Sequence, residues 1–126
     1  MVRYMINDKL NNINYKKLNE LGLLEPLEKI LSYEAIIDLD EEDLKLIADN
    51  RLKGYYYGSL KDIKINILDN DYNKVLFVAI GDENLTIEET KLAVKKTREE
   101  LGFIELSFSS VLNNEIKEGL AFILVY

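Results

Sequence analysis

Six consecutive apolar residues, Val75, Leu76, Phe77, Val78, Ala79 and Ile80, restrict the fold of this chain more than any other stretch. A strand with one wet face alternates apolar and polar side chains. This one does not, so it reads as a central strand covered on both faces. The residues after it supply one of those layers. Thr86 and Glu89 stand at capping-box spacing, and residues 87–101 carry an apolar face that includes Ala93 and Val94. Gly102 stands where a helix stop is needed. Ile104, Leu106 and Phe108 then alternate with Glu105, Ser107 and Ser109, which predicts a second strand. Asn113-Asn114 marks a turn and Leu120–Tyr126 a last strand, so the final two strands are expected to form an antiparallel hairpin.

Upstream the period is helical. Leu18, Leu21, Leu24, Leu27 and Ile30 recur at three-residue steps and Leu31 closes the stripe. Gly22 and Pro26 interrupt it, which predicts two short helices or one kinked helix, with Pro26 in a first turn where its missing N–H costs nothing. Residues 1–14 give a mixed signal, and residues 33–39 an apolar, extended connection. Asp40 precedes a helix expected over about residues 41–50, with Leu44, Ile47 and Ala48 facing inward. Tyr55–Tyr57, between Gly54 and Gly58, favour a strand, and Ile63, Ile65 and Ile67 alternate as a half-buried one. The expected fold is α+β: a mixed four- to five-stranded sheet with helices packed mainly on one face. It is one domain over 1–126, a helical segment (1–32) followed by a core (33–126).

Composition removes most chemistry. The 126 residues include no cysteine and no histidine, so disulfides, thiolate or imidazole metal sites and Ser–His triads are unavailable. No cofactor or metal is expected. A net charge of −7 with no basic cluster argues against nucleic acid or an anionic membrane as partner. The opening MVRYMINDKLNN reads as too polar for a signal peptide, so none is expected, and no apolar run approaches the ~20 residues of a membrane span. The expected location is the cytoplasm.

Three stretches within residues 35–126 resemble the C-terminal domain of the FtsZ/tubulin family. AIIDLDEEDLKLIA (35–48) is similar to the family's loop and helix, where N-x-D-x-x-D follows an aliphatic pair; here those positions hold Asp38, Asp40 and Asp43. KVLFVAIGDENLTIEETKLAVKKTREEL (74–101) resembles its strand, glycine-containing turn and capped helix, with Leu85, Thr86 and Glu89 in place. IELSFSSVLNNEIKEGLAFILVY (104–126) looks like its terminal hairpin, with Phe108, Val111 and Glu115 at F-x-x-V-x-x-x-E spacing. There are departures. No glycine-rich phosphate loop is present, Asp38 replaces the family's Asn, and only SLKDIK stands where the family has a helix between its first two strands.

The resemblance implies an FtsZ/tubulin-like fold without its GTP-binding half, and a protein that does not itself bind GTP in the family's manner. Asp38, Asp40, Glu41 and Asp43 are then candidates for meeting a partner, and Asp38, Asp40 and Asp43 for completing a GTPase site in trans by orienting water. The plain alternative is that Asp40 and Asp43 cap a helix and Asp38 is a solvated loop acid. Tyr56 is a further interaction candidate, although a tyrosine run is also an ordinary core strand. Asp69, Asp71 and Asn73 mimic the start of a calcium loop, but Lys74 and Ile80 occupy positions that need glycine and an acid, which leaves a turn. Lys91, Lys95 and Lys96 read as a solvated helix face paired with Glu88, Glu99 and Glu100. The leading expectation is a non-enzymatic protein-interaction module that binds or regulates an FtsZ/tubulin-like GTPase filament. The alternatives are an activator acting in trans, and a small-ligand-binding or self-assembling (homo-oligomeric) domain that shares only the fold.

Overall fold

The computed structural model describes residues 16–32, the backbone of 34–37, residues 43, 46 and 47, and residues 51–126. The leucine stripe folds as two short helices, α1 (Lys16–Glu20) and α2 (Leu24–Ser32). Gly22 separates them at φ 72°, a left-handed conformation that favours glycine. Around it the Leu23 N–H donates to the Leu18 carbonyl at 2.8 Å and the Gly22 N–H to that of Asn19 at 3.1 Å. These bonds satisfy carbonyls that the end of α1 would otherwise leave open. Pro26 lies in the first turn of α2, and Leu18, Leu27, Ile30 and Leu31 are buried.

The remaining elements are β1 (Glu34–Ile37), β2 (Gly54–Ser59), β3 (Asn66–Ile67), β4 (Lys74–Gly81), α3 (Ile87–Leu101), β5 (Glu105–Leu112) and β6 (Leu120–Val125). They build one mixed sheet in the order β1-β5-β4-β6-β2-β3, of which β3 contributes only two residues. β4 and β5 are parallel, with Phe77 opposite Phe108. All other pairs are antiparallel. The α+β class and the mixed sheet are as expected.

The terminal hairpin is not. β6 pairs with β4 and β2, and β4 stands between it and β5. The reason lies in its composition. Ala121 through Tyr126 are all buried, so β6 needs cover on both faces just as β4 does, and only the middle of the sheet offers it. The link from β5 to β6 passes the end of β4, where the Asn113 N–H donates to the Gly81 carbonyl at 2.8 Å. The Ile63–Ile67 alternation is also mostly not strand. Ile63 is buried, Ile65 half-buried and Ile67 exposed, and only Asn66 and Ile67 pair with β2.

The two sheet faces carry different layers. On one, Leu76, Val78, Ile80, Phe122, Leu124 and Tyr126 pack with the leucines of α1 and α2 and with Ile47, which lies in helical backbone with Asp43 and Leu46. On the other, Val75, Phe77, Ala79, Ala121, Ile123 and Val125 meet Leu60, Ile63 and α3. The capping box of α3 is complete: Thr86 Oγ1 accepts from the Glu89 N–H at 3.1 Å and Glu89 Oε2 from the Thr86 N–H at 3.0 Å. Gly102, at φ 83°, ends the helix.

Candidate functional site

Of the acidic candidates, Asp38, Asp40 and Glu41 lie outside the described residues. Asp43 is only 4% exposed, and its carboxylate faces Lys74 Nζ at 3.9 Å. Lys74 also lies 3.7 Å from Glu105 on the neighbouring strand. A carboxylate taken out of water needs a counter-charge, and here that charge ties the helical segment to the start of β4. Asp43 is therefore corrected from a partner-facing or in-trans catalytic acid to an interior ion-pair member, because at this burial it cannot reach another subunit.

Tyr56 is half-buried and engaged within its own loop. Its hydroxyl donates to the carbonyls of Ser59, at 2.7 Å, and Asp62, at 3.2 Å, while its ring packs on the α3-side core. Burial, and secondarily the Asp62 carboxylate, push its phenol pKa up from 10.0. The outward ring is that of Tyr57, 43% exposed, which meets buried Phe122 edge-on at 5.9 Å. In the 69–73 run, Asp69 Oδ1 accepts from the Asp71 N–H at 2.9 Å, as an Asx turn does.

The charged side of α3 does more than face solvent. Lys96 Nζ donates to the Lys61 carbonyl at 2.6 Å, and Glu100 Oε2 accepts from the Ile65 N–H at 3.1 Å. Together with the Tyr56 hydroxyl, these bonds hold the 59–65 loop against the sheet, with Leu60 and Ile63 buried beneath it. This loop occupies the place where the resemblance called for a helix.

Pinning the loop leaves a cleft of about 390 Å³ on that flank of α3. Its walls are the turn after β2, the β4–α3 connection, one side of α3 and the segment leading into β6. Leu60, Leu85, Leu92 and Ala93 supply apolar surface, and Lys61, Lys96 and Lys117 stand among Asp82, Glu89 and Glu118. The cleft opens beside the C-terminal end of parallel strand β4, a common place for ligand sites in sheets with helical crossovers. Gly81 and Gly119 let Leu85 nest closely. A Cβ on Gly81 would fall 2.9 Å from Leu85 Cδ2, and one on Gly119 would fall 3.1 Å from Leu85 Cδ1.

The opposite flank is built differently. Six strands span roughly 24 Å across a sheet, whereas one helix is about 10 Å wide, so α3 alone cannot roof this face. Beside β5 it leaves a shallow, almost wholly apolar trough of about 340 Å³ lined by Ile87, Val94, Leu106 and Phe108, with Thr90 and Lys91 at its rim. Phe108 rests on buried Phe77, with ring centroids 5.8 Å apart and planes at 17°. Ile87 is 73% exposed, Leu92 61% and Phe103, just past the helix, 99%. The helical period contained this signal. Ala93, Thr97 and Leu101 form the buried stripe at four-residue steps, and Ile87 and Leu92 fall off it on opposite sides.

Among the described residues, no three acidic side chains converge to hold a metal ion, and no helix is long and apolar enough to cross a membrane. No family model matches the chain, and no curated protein matches it.

Proposed function

We propose that this domain is a non-enzymatic protein-interaction module and that it binds through the under-roofed flank of α3. The observation that carries the reading is the apolar surface left in water there, Ile87 and the trough over Leu106 and Phe108, with Phe103 fully exposed beyond the far end of α3. A contiguous apolar trough favours partner binding, and an exposed aromatic residue such as Phe103 loses much water if a partner extends over it. The partner class to test first is an FtsZ/tubulin-like GTPase. The order of strand, capped helix and parallel strand over residues 74–112 fits that relation, whereas the missing phosphate loop and the placement of β6 between β4 and β2 depart from it. With Asp43 turned inward, GTPase activation in trans is the weaker version of the idea, because one of its three acids is taken up by an ion pair inside the fold.

Co-sedimentation with FtsZ-type polymers, with and without GTP, tests the reading. The chain is expected in the pellet, and the Ile87→Ser/Phe103→Ser variant in the supernatant. Equal pelleting of the two, or none by either, counts against it. Light scattering in parallel detects the competing case, a second copy of this chain on the same surface. Partner GTP turnover separates binding from activation.

A further inference from the structure

We propose that the cleft on the loop-pinned flank of α3 binds a small monoanion with an apolar body, a carboxylate of aryl or short-alkyl type. The cleft is independent of the protein partner, which sits on the other flank. Three observations carry the proposal. First, the volume of about 390 Å³ falls within the range of small-molecule sites, and leucine and alanine side chains supply an apolar lining that rewards a carbon body. Second, Lys96 is a fixed cation. Its ammonium is anchored on the Lys61 carbonyl at 2.6 Å, and an ammonium has three protons, so two remain for a ligand. Lys61 and Lys117 stand at the same opening.

Third, the acids beside the cleft limit the ligand to one negative charge. Asp82 Oδ1 accepts from the Asn84 N–H at 2.9 Å and Glu89 Oε2 from the Thr86 N–H at 3.0 Å. Both carboxylates are thereby held in place at the α3 N-terminal end, where they repel a di- or triphosphate. The Glu89 amide is likewise taken by Thr86 Oγ1, which removes one of the donors a phosphate would seek at a helix start. The ligand that fits has one anionic head toward Lys96 and Lys61 and an apolar tail over Leu85 and Leu92.

The test is amide-shift NMR on the intact chain titrated with benzoate, octanoate and indole-3-acetate, each against its uncharged amide. Shifts are expected at Lys61, Gly81, Leu85 and Gly119, with the carboxylate binding about tenfold more tightly than the amide. Lys96→Met should weaken binding by about the same factor. Because that change also unpins the loop, Lys117→Met serves as the second variant and should weaken binding with the loop intact. Equal affinity for acid and amide, shifts confined to the Ile87–Phe108 trough, or no saturation in the millimolar range would each overturn the proposal.

Discussion

The two flanks of α3 pose one physical problem and solve it in opposite ways. Both are places where a single helix fails to cover a wide sheet. Toward β2 the chain folds a loop over the gap, buries Leu60 and Ile63 beneath it, and holds it with Tyr56, Lys96 and Glu100. Toward β5 nothing among the described residues performs that task, and Ile87, Val94, Leu106 and Phe108 line an open trough. The difference is one of polar reach. A loop can serve as a roof only if its backbone groups find donors and acceptors, and on the β2 side Lys96 and Glu100 of α3 supply them to Lys61 and Ile65. The covered flank ends as a cleft with fixed charges, and the open flank as an apolar surface.

If the loop is truly a roof, removing its central anchor should hurt most. Leu60 is 4% exposed and touches the core beneath. Leu60→Ala is expected to cost about 2–4 kcal/mol in urea unfolding, the range for a leucine truncated in a packed interior. A loss under about 0.5 kcal/mol would mean that the loop is ornamental and the two flanks alike.

The polar pins come next. Glu100→Gln replaces a charged acceptor of the Ile65 N–H with a neutral one. The expected loss is about 1 kcal/mol, together with faster hydrogen exchange at Ile65 and unchanged exchange in β4. If Ile65 exchange stays as slow as in the parent, Glu100 does not hold the loop.

Much of the scaffold could be read from residues 74–108 because its determinants are local. A Thr–Glu capping box, a glycine stop and an unbroken apolar run each act within a few residues. The placement of β6 could not be read that way, because it depends on which strands lack cover, a property of the whole sheet. Even so, Leu120–Tyr126 shows the same absence of alternation as Val75–Ile80, and that pattern argues against an edge hairpin. Asp43 misled for a related reason. Its spacing fits a helix start, but its partner Lys74 comes from a distant strand, and only folding brings the two charges together. The cleft has no motif at all. It is assembled from short pieces near residues 60, 82, 92 and 118 that are unrelated in sequence.

Tyr56 sharpens the comparison through pH. Its phenol pKa is raised by burial first and by Asp62 second, so the folded state holds the proton more tightly than the unfolded chain does. The stabilisation is complete below about pH 10, the unfolded value, and is lost as pH climbs through the folded value. Tyr56→Phe should cost up to about 1 kcal/mol near neutrality, since two carbonyls lose one donor. The same variant should show a flatter fall in urea midpoint than the parent between about pH 9 and about pH 11. Parallel curves would place the alkaline sensitivity in the other tyrosines and free Tyr56 from its role in the roof.

The smallest expected effect is the most discriminating. Ile87 and Phe103 are 73% and 99% exposed, so Ile87→Ser and Phe103→Ser remove side chains that contribute little burial to the fold. Together they should shift unfolding by no more than about 0.5 kcal/mol, the level of ordinary surface changes. The two variants should also lower binding of a hydrophobic dye and any tendency to self-associate. A loss above about 2 kcal/mol would place both residues inside a packed structure rather than on a surface, since only buried side chains carry that much. In that event some part of the chain roofs the second flank as well, and the contrast between the flanks, with the binding surface inferred from it, disappears.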